Sequence, residues 1–325
     1  MKKLIILPIE TYAREIDHKT LLGVYLAKTL RVPVVLAASN IANKLAIELG
    51  ENAIYIGKNF FSVKTFLSTT PLIDNSVLVK MLDKGVDVLF CHEEGGLFLN
   101  GDSSQLDIEQ FQLNLPLYGC SLPANHEKLA MFHWGEYQAN MAQECLPNIK
   151  HYAAGAHFID AAKLYQQWEG KLKQFISKES RADISITANT AFLSNGIYTS
   201  PYLLSLSSEI SNTSDWANQV DTETSVLLLT KELRDLGKDI CFRPHPGSGG
   251  THMKDWLEYC QTIGIKVSNP TYESALSYLL SSRINIHPGC STSFQSLFLK
   301  KPTIRFTNSY SRSVSYTHLR AHETL

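Results

Sequence analysis

Three short polar motifs hold residue types suited to chemistry, and each begins where an apolar run ends. Val86 to Phe90 runs into His92-Glu93-Glu94-Gly95-Gly96. Asp239 to Phe242 runs into Arg243-Pro244-His245-Pro246-Gly247. Arg283 to Ile286 runs into His287-Pro288-Gly289-Cys290-Ser291-Thr292-Ser293. In open α/β sheets, ligands bind in the crevice beyond the carboxyl ends of the strands. A carboxylate pair, a His-Pro corner and a small hydroxyl loop at three such ends point to one site, suited to a phosphorylated donor and a general base.

Each motif has a chemical reading and a plain structural one. Glu93 and Glu94 are adjacent carboxylates that repel, so one can keep its proton to near neutrality and serve as a base. Gly95 and Gly96 allow a tight turn and close approach of a ligand, whereas the plain alternative is a solvated acidic loop. His245 can donate a hydrogen bond to phosphate, and Pro246 fixes the backbone beside it. Arg243, two residues earlier, offers a fork of donors on the same side if the strand continues. The alternative is a core histidine, but core histidines are seldom bracketed by arginine, two prolines and three glycines. Gly289 opens a turn towards a helix start, where exposed N–H groups bind anions and Ser291, Thr292 and Ser293 add hydroxyls. Serine or threonine at that place is also an ordinary N-cap. No Gly-Lys-Ser/Thr follows, so this is not a Walker loop. No GxGxxG fingerprint follows the first strand, which argues against a dinucleotide cofactor. No His/Cys/Asp cluster suggests a catalytic metal.

The elements that must position these motifs alternate along the chain. Strands are expected at Lys3–Pro8, Val32–Leu36, Ala53–Ile56, Val86–Phe90, Leu115–Tyr118 and Ile149–Ala153. Between them, helical spacing predicts helices from a cap at Asp17 through Leu30, from a cap at Ser39 to Leu49, through Leu82, and over His126–Glu144. A polar helical segment, Ala161 to Lys178, bridges to a second series. That series has strands at Ile184–Thr187, Asp239–Phe242, Ile265–Val267, Arg283–Ile286 and Thr303–Phe306. Helices are expected at Asp215–Leu236, Lys254–Thr262, Tyr272–Leu280 and from Ser291. Strands alternating with helices imply βαβ units and mostly parallel sheets. The fold class is therefore α/β, with two Rossmann-like domains facing a cleft.

At 325 residues, the chain is expected to form two domains. A net charge of -1 gives no electrostatic case for nucleic acid or a membrane surface. The six cysteines are scattered without a CxxC pair, which fits buried thiols in a reducing compartment. No apolar run approaches the ~20 residues that a membrane span needs. The LIILPI stretch after Met1-Lys2-Lys3 is too short for a signal-peptide core and reads as a first buried strand.

An acidic pair with Gly, then His-Pro, then a Ser/Thr pair resembles the motif order of bacterial sialyltransferases and related Kdo transferases. Those enzymes have two Rossmann-like domains in the GT-B arrangement and use CMP-activated sugars. A nearer resemblance is to the bacterial surface carbohydrate biosynthesis proteins. It is carried by ILPIETYAREID (Ile6 to Asp17), IYIGKNF (Ile54 to Phe60), HEEGG (His92 to Gly96), FHWGEYQA (Phe132 to Ala139), ITANTAFLSNG (Ile186 to Gly196) and the region from His245 to Pro302. These segments span nearly the whole chain to about Phe306. The resemblance makes Glu94 the base, places His245 on the donor phosphate, and places Ser291 and Thr292 on the donor phosphate or carboxylate. One departure stands out. Where those proteins carry Gly-Asn-Pro-Arg-x-Asp, this chain reads Gly155-Ala156-His157-Phe158-Ile159-Asp160, so the arginine is missing.

The expected organisation is an acceptor and base domain over 1–155, a linker over 156–183 and a nucleotide-donor domain over 184–312. Ser313 to Leu325 lacks apolar periodicity and resembles a translated sequencing-adapter sequence, which would place the end of the native sequence near Arg312. The expected activity is a cytoplasmic, metal-independent GT-B glycosyltransferase of bacterial surface polysaccharide synthesis. Capsule and lipopolysaccharide are the associated products. The catalytic residues would be Glu94, Glu93 and His245. The donor-binding residues would be Arg243, His245, Pro246, Gly289, Ser291, Thr292 and Ser293. The donor would be a nucleotide-activated sugar, which the resemblance implies is CMP-linked, with no separate cofactor. The partners would be a glycan or glycolipid acceptor and, by peripheral association at the inner face of the membrane, assembly machinery. Alternative readings are a CDP-glycerol-type glycerophosphotransferase, a hexose 2-epimerase-like enzyme, and a non-catalytic scaffold that binds nucleotide sugar in an export assembly.

Overall fold

Short runs of aliphatic and β-branched residues form parallel strands, and the helical-period segments between them return the chain to the start of the next strand. The computed structural model describes residues 3–58, 62–63, 73–91, 127–176, 181–188, 225–245, 251–288 and 292–306. Among these, two compact units are separated. One takes the residues up to Glu10 and His18–Phe158, and the other takes Thr11–Asp17 and the residues from Ile159.

The first unit runs β1 (Leu4–Ile9), β2 (Val34–Ala38), β3 (Ala53–Ile56), a small antiparallel pair β4 (Ser62–Val63) and β5 (Ile73–Asp74), then β6 (Asp87–Cys91), β7 (Leu129–His133) and β8 (Lys150–Ala153). Its parallel sheet has the order β2-β1-β3-β6-β7-β8. Parallel sheets are covered on both faces, so their strands are apolar almost throughout. Ile6, Tyr55, Val88, Phe90 and Met131 accordingly form one core with Ala42 and Ala46 of the helix Ser39–Leu49 and with Leu78 and Met81 of the helix Ser76–Asp83. Strand order reverses between β1 and β3. There a Cβ on Gly57 would fall 2.4 Å from Cγ of Pro8, so only glycine fits.

The second unit contributes β9 (Ile184–Thr187), β10 (Ile240–Arg243), β11 (Lys266–Val267), β12 (Ile284–His287) and β13 (Thr303–Arg305). All pair in parallel, in the order β11-β10-β9-β12-β13, and the reversal falls between β9 and β12. Ile186, Val226, Ile240, Phe242, Cys260 and Ile286 fill its core. The helices His157–Gln167 and Glu169–Leu172 occupy the stretch read as a linker, and from Ile159 on they belong to this unit. The α/β class with two parallel-sheet units is thus as expected.

Two expectations of detail change. Asp17 caps nothing: the first helix is Tyr12–Leu30, and Asp17 lies inside it. Its start is marked instead by the Thr11 N–H, which donates to Oε1 of Glu15 at 3.4 Å. Leu129–His133 is a strand rather than the opening of a helix, which begins only at Glu136. Leu129, Ala130 and Met131 are buried consecutively between β6 and β8, a run too continuous for one helical face. The expected strand at 115–118, the first part of the helix expected from Asp215, and the stretch 313–325 lie outside the described residues.

Candidate functional site

The parallel sheet of the second unit ends all its strands on one edge. Thr187, Arg243, His287 and Arg305 are the last residues of β9, β10, β12 and β13. The polar motifs after β10 and β12 therefore leave from the same edge, on the two sides of β9.

Arg243 is 3% exposed. Its Nη1 donates to Oγ of Ser268 at 2.6 Å and its Nη2 to the carbonyl of Glu273 at 2.7 Å. The guanidinium carbon stands 5.2 Å from the ring centroid of Tyr278. Ser268 Oγ in turn donates to Oε2 of Glu273 at 2.5 Å. Both terminal nitrogens of Arg243 thus make bonds within the unit. Tyr278 sits under this group, its hydroxyl donating to the carbonyls of Ile186 and Cys241 at 3.0 and 2.8 Å.

Glu273 and Ser274 lead into the helix Ala275–Leu280, whose N-cap is Ser274, with its Oγ accepting from the Ser277 N–H at 3.1 Å. On its other side Ser274 bonds the carboxylate of Asp17, which also accepts from the Tyr165 hydroxyl at 2.6 Å. Burial raises the Asp17 pKa above the usual carboxylate range, opposed by the two hydroxyls and by the charge of Arg243. Burial and the nearby Asp17 carboxylate raise the Tyr165 pKa.

Among the sequence-predicted site residues, His245 is half-buried two positions past Arg243, beyond the buried Pro244. Thr292 and Ser293, half-buried, open the short helix Thr292–Phe298. Oγ1 of Thr292 is buried without a hydrogen-bond partner among the described residues. His287, the last residue of β12, is held neutral: burial first, and Arg305 second, push its pKa down to about 4. Arg243 and His245 share one strand end. Glu93, Glu94, Pro246, Gly289 and Ser291 lie outside the described residues. Sequence reading missed Asp17, taken for a helix cap, and the pair Ser268 and Glu273. No signal marked the latter, because they become neighbours of Arg243 only when β11 pairs with β10. Among the described residues no group of three or more metal-binding side chains comes together, and no helix is long and apolar enough to cross a membrane.

No protein-family model matches the chain, and no curated protein is significantly similar to it. Solved structures do match. UDP-GlcNAc 2-epimerase of Methanocaldococcus jannaschii, in complex with UDP-GlcNAc and UDP, is similar over 94% of this chain and 83% of its own, at 14% identity and a TM-score of 0.52. The wall teichoic acid polymerase TagF is similar over 94% of this chain and 70% of its own, at 11% identity and a TM-score of 0.48, too low to argue from. The fold is that of GT-B-type enzymes. At such identity the likeness speaks of fold alone.

Proposed function

We propose that the chain is a glycosyltransferase-like enzyme of bacterial surface polysaccharide synthesis that uses a nucleotide-activated sugar as donor. The observation that carries this reading is the His245 corner, leaving the carboxyl edge of a parallel sheet beside the β9/β12 reversal, where α/β sheets bind ligands. The Thr292 hydroxyl, buried without a hydrogen-bond partner among the described residues and just past β12, supports it. So does the fold neighbour, whose structure holds UDP-GlcNAc and UDP.

In this reading the second unit binds the donor and the first supplies the acceptor side. His245 donates to the departing phosphate, with hydroxyls from Ser291, Thr292 and Ser293 sharing its charge and Arg243, Pro246 and Gly289 completing the donor-binding set. Donors preorganised where charge develops are usually the largest single contribution to rate. Glu94 deprotonates the acceptor hydroxyl, or attacks the donor if configuration is retained, and Glu93 raises its proton affinity. The enzyme would act in the cytoplasm on a glycan or glycolipid acceptor, close to membrane-bound assembly machinery. The resemblance in the sequence favours a CMP-linked donor. A second reading, a 2-epimerase-like activity on a UDP-linked sugar, is favoured by the fold neighbour.

The test is a thermal-shift screen of CMP-, CDP- and UDP-linked donors, followed by product analysis with and without an acceptor. Transfer to acceptor, lost by ~10²–10⁴ in Glu94→Gln while donor binding persists, is the expected result. Inversion of a UDP-sugar without acceptor would favour the second reading. Binding without turnover, indifferent to Glu94→Gln, would mark a scaffold. Binding of no donor would overturn every one of these readings.

A further inference from the structure

Sequence pattern gives Arg243 and His245 the same task, yet the structure separates them. A residue that grips a ligand phosphate needs donors directed at the ligand rather than held inside the protein, and Arg243 is 3% exposed. Its Nη1 and Nη2 face Ser268 and the Glu273 carbonyl at 2.6 and 2.7 Å. Its backbone is tied as well, because the Arg243 carbonyl accepts from the Ala188 N–H at 2.9 Å. Both the main chain and the side chain of the last residue of β10 are therefore anchored. Pro244, with its φ fixed near -65°, leaves few free torsions between that anchor and the imidazole of His245.

The anchor is itself braced. Ser268, whose N–H donates to the Phe242 carbonyl at 2.9 Å, extends β11 alongside β10. Glu273 receives Arg243 on its carbonyl and Ser268 on its carboxylate. The next residue, Ser274, is held by Asp17, which the Tyr165 hydroxyl holds in turn. The guanidinium thus fastens the end of β10 to the start of the helix Ala275–Leu280, and Tyr278 of that helix reaches back to the carbonyls of Ile186 and Cys241. A planar fork suits this bridge, and a lysine ammonium could not span both acceptors with the same geometry.

We propose that Arg243 is a positioning residue: clasped by Ser268 and Glu273, it fixes the end of β10 so that Pro244 presents His245 to the phosphate of a bound nucleotide. This rests on the reading of His245 as a phosphate donor given above.

A double-mutant cycle on the full chain tests it, with CMP, CDP and UDP as titrated probes and the imidazole titration of His245 followed by NMR. Arg243→Lys should weaken the nucleotide that binds by about 10-fold, the low end of what is lost when the hydrogen-bonded support of a metal-ligating residue is removed. In a His245→Ala background the same change should cost nothing further, since it has nothing left to position. Ser268→Ala, which leaves the arginine in place, should weaken binding in the same direction and shift the His245 titration, and it keeps the test open if Arg243→Lys does not fold. Losses that add in the double variant would show that Arg243 touches the nucleotide and would overturn the proposal. Unchanged binding in both single variants would overturn it too. If none of the probes binds the unaltered chain, the donor-site reading fails. The NMR comparison then decides separately: a His245 titration altered by Arg243→Lys or Ser268→Ala sustains the positioning, and an identical one ends it.

Discussion

The two sheets share parallel strands and a reversal in strand order, but different forces hold them. In the first unit β1 buries Ile5, Ile6 and Leu7 in succession, and β6 and β7 bury Val88, Phe90, Leu129 and Met131. In the second, the two strands flanking the reversal bury Ser185 and Thr187 on β9 and Asn285 and His287 on β12. Ser185 Oγ lies 3.1 Å from both the Ile284 carbonyl and Oδ1 of Asn285, and it accepts from Ser282 Oγ at 2.9 Å. Buried polar groups are costly unless bonded, so the strands beside this reversal must match donors to acceptors more often than those of the first sheet, where β7 buries His133 within 3.0 Å of His151. A sheet tied by directional bonds holds its strand ends in one geometry. That is what the phosphate-binding role proposed for this edge would require, and β10 and β12 both end there.

The contrast should appear first as a difference in what truncation costs. Phe90→Ala empties a fully enclosed volume in the first unit and should cost ~3–5 kcal/mol in urea unfolding. Tyr278→Phe in the second leaves the ring in place and removes only the hydroxyl between the Ile186 and Cys241 carbonyls. It should still cost ~1–3 kcal/mol, the scale of buried acceptors left without a donor. A null effect for Tyr278→Phe would collapse the distinction between the sheets, and a cost equal to that of Phe90→Ala would sharpen it.

Acid should act on the same contrast with a known sign. The His287 pKa falls from 6.5 to about 4 on folding. A depressed folded value means that the unfolded chain binds the extra proton, so this stabilisation is complete above about pH 6.5 and drains away towards pH 4. In the first unit burial also lowers the His151 pKa, opposed by the bond between its Nε2 and the Leu146 carbonyl, so it works in the same direction. Asp17 has the opposite sign: with a raised pKa, its contribution is full below the unfolded carboxylate value and is lost as pH rises through its folded one. His287→Gln should flatten the stability profile between about pH 4 and 6.5, and an unchanged slope there would show that His287 is not held neutral.

Most of the fold was legible because strand and helix periods differ, and that difference survives in a single sequence. Ala53–Ile56 and Ile184–Thr187 are strands with the bounds read from their residues alone. The failure at Leu129–His133 has a physical cause: a fully buried strand shows no alternation, so its apolar run passes for one side of a helix. Of the candidate site, the strand-end placement of Arg243 and His245 was legible, because parallel strands must all end on one edge. The true partners of Arg243 were not. Ser268 and Glu273 lie 25 and 30 residues away, beyond the reach of any local period. Asp17 was hidden differently: an aspartate early in a helix looks like a cap whatever it touches.

The smallest effect is expected at the opposite edge of the second sheet, where another arginine invites direct comparison. Arg283 immediately precedes β12, and its Nη1 lies 3.9 Å from Oδ1 of Asp183, with 84% and 62% of the two side chains exposed. Water solvates both charges there, and the long side chain gains little from being held, so the pair should contribute no more than ~0.5 kcal/mol. Arg283→Ala should leave the urea midpoint nearly unchanged and the binding of any nucleotide untouched, while raising salt should make no further difference. Arg243→Lys, which keeps the charge and alters only the shape, should do more than this complete deletion. The ordering is what matters: burial and bonding at the carboxyl edge, not charge itself, give an arginine its effect in this sheet. An Arg283→Ala variant that lost as much stability or binding as Arg243→Lys would place the organising charge at the wrong edge and break the comparison.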